Sequence, residues 1–279
     1  MYIGSHVSIK HGYLHAAKAT HALGGKAFQY FPKNPRSLMV KEFSHDDASA
    51  CLTFCKEQQI KSVAHTPYPT KLIPDKREIE DRIIDSILND LHIAEACGSV
   101  GIVVHFGTTK TIEIIEAYQK MIEMLNRVLA QWDGQAKLLI ENNAGGTNMG
   151  ITLEEMVQVR ELTDDPSKIG FCFDTCHAFA SGLWNGEDWI QVVEKGEELG
   201  YFEHLEVIHM NNSKYPFRSR KDRHANLTKG HISPEQIQML IHSKALKNKL
   251  VILETPKDEG ITHQDEISLL NKWSFGGQM

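Results

Sequence analysis

Six residues able to bind a metal ion each close a short apolar run: His65, His105, Glu141, Asp174, His209 and Glu254, spaced 40, 36, 33, 35 and 45 residues apart. A packed core has no use for a carboxylate at the end of a buried strand. A metal ion does, because it repays the desolvation of the carboxylate and fixes its geometry. One histidine in such a place is more often structural than a ligand, but six consecutive ends of this kind point to a shared metal site. Three more candidates lie just beyond strand ends: His177, three residues after Asp174, and the pair Asp222 and His224. The set holds five imidazoles, four carboxylates and no thiolate, which suits Zn²⁺, with Mn²⁺ or Fe²⁺ as alternatives. Nine donors exceed the needs of one ion and fit two or three. A carboxylate shared between two ions gives the arrangement used for phosphoester displacement.

The elements that must position these groups follow one repeating pattern. Apolar strands are expected at 2–7, 27–31, 61–65, 100–105, 137–141, 169–174, 205–209 and 250–254. Helices are expected near 12–23, 44–59, 76–97, 111–132, 152–162, 188–201, 233 onward and 264–272. The long helix at 76–97 carries Ile79, Ile83, Ile87, Leu88 and Leu91 at helical period. Ser44 and Thr152 read as helix caps, and Ser233-Pro234-Glu235-Gln236 is a capping-box start. Strand and helix alternate eight times without a linker or low-complexity stretch, which predicts an α/β fold: a single-domain (β/α)₈ TIM barrel over 1–279 with a frayed tail after about 273. In such a barrel the C-terminal ends of all strands converge on one face. A doubly wound sheet is the alternative, but no glycine-rich nucleotide fingerprint follows the first strand.

Composition narrows the function. The 279 residues are 41% hydrophobic and 24% charged, with a net charge of −6, so nucleic acid would have to be met by a local patch. Such a patch lies around Asp222 and His224, where Lys214, Arg218, Arg220, Lys221, Arg223 and Lys229 fall close together. A basic run is usually a solvated face, but beside a metal site it suits a phosphate-bearing substrate. There is no apolar run long enough to span a membrane and no signal-peptide pattern, so a cytoplasmic protein is expected. The five cysteines read as small buried hydrophobes in a reducing compartment.

Several segments together carry a family resemblance. They are Ile3-Gly4-Ser5-His6-Val7-Ser8, Lys33-Asn34-Pro35-Arg36, Ile140-Glu141-Asn142, Asp174-Thr175-Cys176-His177-Ala178-Phe179, His209-Met210-Asn211, Asp222-Arg223-His224 and Leu253-Glu254-Thr255-Pro256. Over nearly its whole length the chain resembles the endonuclease IV family of apurinic/apyrimidinic endonucleases. The resemblance implies a TIM barrel with a trinuclear zinc centre that cleaves DNA 5′ to an abasic site. It implies a first ion on His65, His105 and Glu141, a second on Glu141, Asp174, His209 and Glu254, and a third on His177, Asp222 and His224. Glu141 and Glu254 are the catalytic candidates, Glu141 bridging two ions and helping to position the attacking hydroxide. The resemblance also makes Arg36, Tyr68, Arg220 and Arg223 candidate DNA contacts and double-stranded DNA with an abasic site the expected partner, and a monomer is expected. A sugar or sugar-phosphate isomerase or epimerase of the xylose isomerase-like barrels is the alternative, and would not need His177, Asp222 and His224. The chain departs from the family pattern at Asn212, where aspartate is usual. It also departs at Arg218-Ser219-Arg220, where Gly-Ser-Arg is usual, at Asn143, at Leu38 and Pro69, and over 228–233.

Overall fold

The computed structural model describes residues 1–257 and 260–275. In chain order the first half contains β1 (Tyr2–His6), α1 (Tyr13–Ala22), β2 (Ala27–Tyr30), α2 (His45–Gln58), β3 (Lys61–His65), α3 (Glu80–Ala96), β4 (Gly101–His105), α4 (Ile114–Leu129), β5 (Lys137–Glu141) and α5 (Leu153–Glu161). The second half contains β6 (Ile169–Asp174), α6 (Thr175–Ser181), α7 (Trp189–Glu198), α8 (Tyr201–His204), β7 (Leu205–His209), β8 (Asn212–Ser213), β9 (His224–Ala225), α9 (Pro234–Ile241), β10 (Leu250–Leu253) and α10 (His263–Phe275). Eight strands close into a barrel in the order β1-β10-β7-β6-β5-β4-β3-β2, and every pairing is parallel. The expected single-domain (β/α)₈ barrel is what the chain forms.

Alternation along the strands sorts side chains into two layers. Ala27, Val63, Val103, Leu139, Cys172, Val207 and Ile252 fill the barrel interior. A larger apolar set, including Phe28, Ile102, Ile140, Phe171, Phe173 and Ile208, packs outward against the helices. Each interior residue is followed two positions later by Gln29, His65, His105, Glu141, Asp174, His209 or Glu254. The period-two pattern therefore delivers the polar groups to the same end of the barrel that the apolar plugs seal from below. At β1 the interior position is Gly4, where an added side-chain carbon would lie 1.5 Å from the Ala27 carbonyl oxygen. Only glycine lets β1 and β2 approach this closely.

The strict alternation expected from sequence is interrupted twice on the site face. The seven-residue helix α6 starts directly from β6, ahead of α7. After β7 the chain forms the small antiparallel pair β8–β9, which places His224 on a strand instead of in an open loop. Both insertions sit where the third set of donors must be brought in. Helix α10 runs through Phe275, past its expected end and into the tail expected to fray after about 273, and the rest of that tail, 276–279, lies outside the described residues.

Candidate metal centre

All nine expected donors meet at one rim. His65, His105 and Glu141 form one set, Glu141, Asp174, His209 and Glu254 a second, and Asp174, His177 and His224 a third, which Asp222 closes. Glu141 belongs to the first two sets and Asp174 to the last two. In the first set the Nε2 atoms of His65 and His105 each lie 3.6 Å from Glu141 Oε2. In the second, His209 Nδ1 lies 3.0 Å from Glu141 Oε1, 3.2 Å from Glu254 Oε2 and 3.8 Å from Asp174 Oδ2. In the third, Asp222 Oδ1 lies 3.3 Å from His177 Nε2 and 3.4 Å from His224 Nε2, and Asp174 Oδ2 lies 3.5 Å from His224 Nε2. Tetrahedral bonds of about 2.05 Å would hold neighbouring donors about 3.3 Å apart. The His209 Nδ1 to Glu141 Oε1 contact at 3.0 Å is a hydrogen bond, and the other separations, 3.2 to 3.8 Å, match the edges of such polyhedra better.

Local structure aims three of the five rings. His65 donates Nδ1–H to the Thr66 carbonyl at 2.8 Å, and His177 donates Nδ1–H to the Asn142 carbonyl at 2.8 Å. His209 is turned the other way: its Nε2–H goes to Gln29 Oε1 at 2.7 Å, leaving Nδ1 to face three carboxylates. A ring that spends one N–H on a carbonyl presents its other nitrogen to an ion. His177 is brought in by helix capping, because Asp174 is the N-cap of α6 and its Oδ1 accepts the His177 backbone N–H at 2.7 Å. Asp174 Oδ2 accepts from Asn211 Nδ2 at 2.8 Å. Asn142 fixes the Asp174 main chain by accepting its N–H and donating to its carbonyl.

The donor set calls for positive charge. Burial would raise Glu141, yet the imidazoles of His209 and His105 outweigh it and hold the carboxylate well below its usual range. Glu254 is likewise brought down to about 2, against burial, by His209 and His224. Burial would lower His177 and His209, but their neighbours push both well up: Asp174 and Asp222 for His177, and the Cys172 thiol, Glu254 and Glu141 for His209. Protons on these rings do in the free protein what cations would do more fully. Glu141 Oε2, His177 Nε2 and His224 Nε2 are buried with no hydrogen-bond partner, a costly state unless something binds them. The residues present therefore fit a cluster of divalent ions.

Three comparisons with known proteins bear on this arrangement. A family model described as "Xylose isomerase-like TIM barrel" matches residues 17–273. A Symbiobacterium thermophilum protein named "Probable endonuclease 4" is 43% identical over 263 residues, covering 93% of this chain and 95% of that one. The chain belongs to the endonuclease IV family. The crystal structure of endonuclease IV from Thermus thermophilus superposes with a TM-score of 0.86 at 29% identity, covering 98% of both chains. A 3-keto-D-glucoside 4-epimerase from E. coli, at 15% identity and a TM-score of 0.67, covers 98% of this chain and 99% of its own, and shares the fold alone.

Around the donors of this endonuclease IV family member lies a cavity of about 460 Å³, lined also by His6, Phe31, Tyr68, Arg223, Lys257 and His263. Tyr68 is 67% exposed and its ring packs 5.2 Å from that of Phe31. The Tyr68 N–H bonds the Pro35 carbonyl at 2.9 Å, so the loops bearing Tyr68 and Arg36 are tied side by side. Arg223 lines the cavity, whereas Arg220 lies outside it, against Gly145. Asn212 is buried, donating to the Leu227 and Ile232 carbonyls and accepting from the Ser213 and Ile232 N–H groups. An aspartate cannot donate, so asparagine here ties the basic loop shut by its own chemistry. All five cysteines are free and buried, as expected.

Sequence inspection missed the partners that hold the donors. Gln29, fully buried, donates to Glu254 Oε1 at 2.6 Å and contacts His6 Nδ1 at 3.2 Å while accepting from His209. Asn211 accepts the Glu254 N–H as well as donating to Asp174. Gln29 was findable, because it stands two residues after Ala27 on the interior side of a strand.

Proposed function

We propose that this chain is a zinc-dependent endonuclease IV-type apurinic/apyrimidinic endonuclease. It hydrolyses the phosphodiester 5′ to abasic sites in double-stranded DNA during base excision repair. The supporting observation is the chain of shared donors: Glu141 joins the first set to the second and Asp174 joins the second to the third. A one-ion isomerase has no use for His177, Asp222 and His224. Zn²⁺ ions, up to three with Mn²⁺ or Fe²⁺ possible in some positions, would be held by those three sets and supply Lewis-acid charge for phosphoester hydrolysis.

The chain's own residues account for the rest. Glu141 and Glu254, ionised at neutral pH, orient the attacking water toward the phosphorus. Gln29 and Asn211 keep Glu254, His209 and Asp174 in register while charge redistributes. Arg36 and Tyr68, tied together through the Pro35 carbonyl, enter the minor groove and help expose the lesion. Arg220 and Arg223 meet phosphates beside the cleaved bond. All nine donors come from one chain, which supports a monomer built as a single barrel domain. Five free thiols suit the cytoplasm, and no helix among the described residues is long and apolar enough to cross a membrane.

The test is a nicking assay on a duplex with one abasic site, using metal-loaded protein. Incision 5′ to the site, lost in Glu141→Gln, is expected. Failure of the wild-type protein to nick, or turnover of a sugar instead, overturns this function.

A further inference from the structure

Four non-glycine residues among those described have left-handed backbone: Gln59, Arg218, Arg220 and Asn248. Gln59 ends α2, where this conformation is common, and asparagine tolerates it. The two arginines, at φ 59° and 56°, close no helix of their own. Glycine would adopt this backbone without the steric cost an L side chain carries. Strain of this kind persists only where the surrounding structure holds it, and it clusters at functional sites.

Capping does not explain these side chains. The segment lies across the C-terminal end of α6, whose orphan carbonyls are met by main-chain donors: Arg218 N–H to Phe179 at 3.2 Å and Arg220 N–H to Ala180 at 3.0 Å. Both guanidinium groups are thus spared that task, and among the described residues neither forms an ion pair. The Arg218 guanidinium instead rests 5.1 Å from the Phe217 ring centroid, and Phe217 packs 5.6 Å from Phe179. Gly182, at φ 96°, leaves room for it: a side-chain carbon there would lie 2.9 Å from Arg218 Nε. The cation is exposed yet held against an aromatic surface, which lowers the entropy cost of binding an anion. Gly182 follows His177 by five residues along α6, roughly 7.5 Å at about 1.5 Å per residue. A span of that size is comparable to the separation of neighbouring phosphates on one strand, of which the axial rise of about 3.4 Å is only one component.

We propose that Arg218 is a phosphate clamp for the DNA strand beyond the metal centre, held out by a left-handed backbone that glycine would adopt at lower cost. This deepens the endonuclease function and rests on it. The probe is an abasic duplex, and the readout is kcat/KM for nicking by metal-loaded protein between about 50 and about 200 mM KCl, with a thermal melt of each variant. Each phosphate contact contributes a slope of about −0.9 to the log–log salt dependence of DNA binding. Arg218→Met keeps the apolar stem and removes the charge, Arg218→Gly removes charge and strain together, and Arg218→Lys keeps the charge. The Met and Gly variants are expected to lose about one unit of salt slope and several-fold in kcat/KM at low salt, even though Gly melts no lower than Met. Lys should hold the wild-type slope. Unchanged slopes in Met and Gly, or Gly restored to wild-type rates, overturn the clamp. A wild-type protein that does not nick overturns the function itself, and the two failures are distinct.

Discussion

Gln29 makes the contacts that aim the second set of donors. Its amide accepts from His209 Nε2 and donates to Glu254 Oε1 at 2.6 Å, so one side chain fixes the tautomer of one donor and the direction of another. Partners of this kind are worth about 10–100-fold in metal affinity. Gln29→Leu, close in volume, should weaken one class of metal site by about that factor while the other two keep their affinity, as a chelator competition titration would resolve. Uniform weakening of all sites would mean that the barrel mouth had shifted as a whole. Glu266 is a second buried group with several obligations. It accepts from Leu227 N at 2.8 Å, from Asn226 Nδ2 at 3.2 Å and from the Thr255 hydroxyl. Glu266→Ala would strand those donors and should cost about 3 kcal/mol in denaturant unfolding. A loss below about 1 kcal/mol would show that water replaces the carboxylate.

Among the elements, helix α3 anchors the loop over 31–44 that carries Arg36. Lys33 Nζ reaches Asp90 Oδ1 at 2.7 Å and the Ser86 carbonyl at 2.6 Å, and Asn89 pairs with both the N–H and the carbonyl of Lys41. Burial pushes Asp90 up to about 7 against the pull of Lys33. An acid raised in the folded state favours folding while protonated. Its contribution is full below its unfolded value near 4 and is lost as pH climbs through about 7. Asp90→Asn should therefore remove up to one proton from the pH dependence of stability between about pH 4 and 7, seen in unfolding midpoints across that range. An identical profile in the variant would place the charge of Asp90 elsewhere. Elements also decide what could be read from sequence. The barrel was legible because strands alternate with helices and interior positions repeat every second residue, so His65, His105, Glu141, Asp174, His209 and Glu254 stood out. Helix α6 was not, since seven residues show no period, and its start is set by the Asp174 cap. The β8–β9 pair, two residues per strand, was equally hidden. Gln29 escaped notice because an amide is not a usual metal donor, although its strand position was plain.

On the scale of the whole molecule, eight strands bring one polar residue each to a common rim, and two short insertions add the third set. The fold is shared with sugar epimerases, so the barrel alone does not assign chemistry. What marks this rim is its three linked donor sets. Ions that bind only the folded rim also stabilise it, and a tight site at about 100 times its Kd adds about 2.7 kcal/mol. Chelation should accordingly lower the melting temperature, and readdition of zinc should restore it. The most direct measurement is the metal content of the purified, zinc-reconstituted protein, determined by mass spectrometry against protein concentration. About three ions per chain are expected, falling to two in a His177→Ala, Asp222→Ala, His224→Ala triple variant. A single ion per chain, or no change in the triple variant, would contradict the three linked sets.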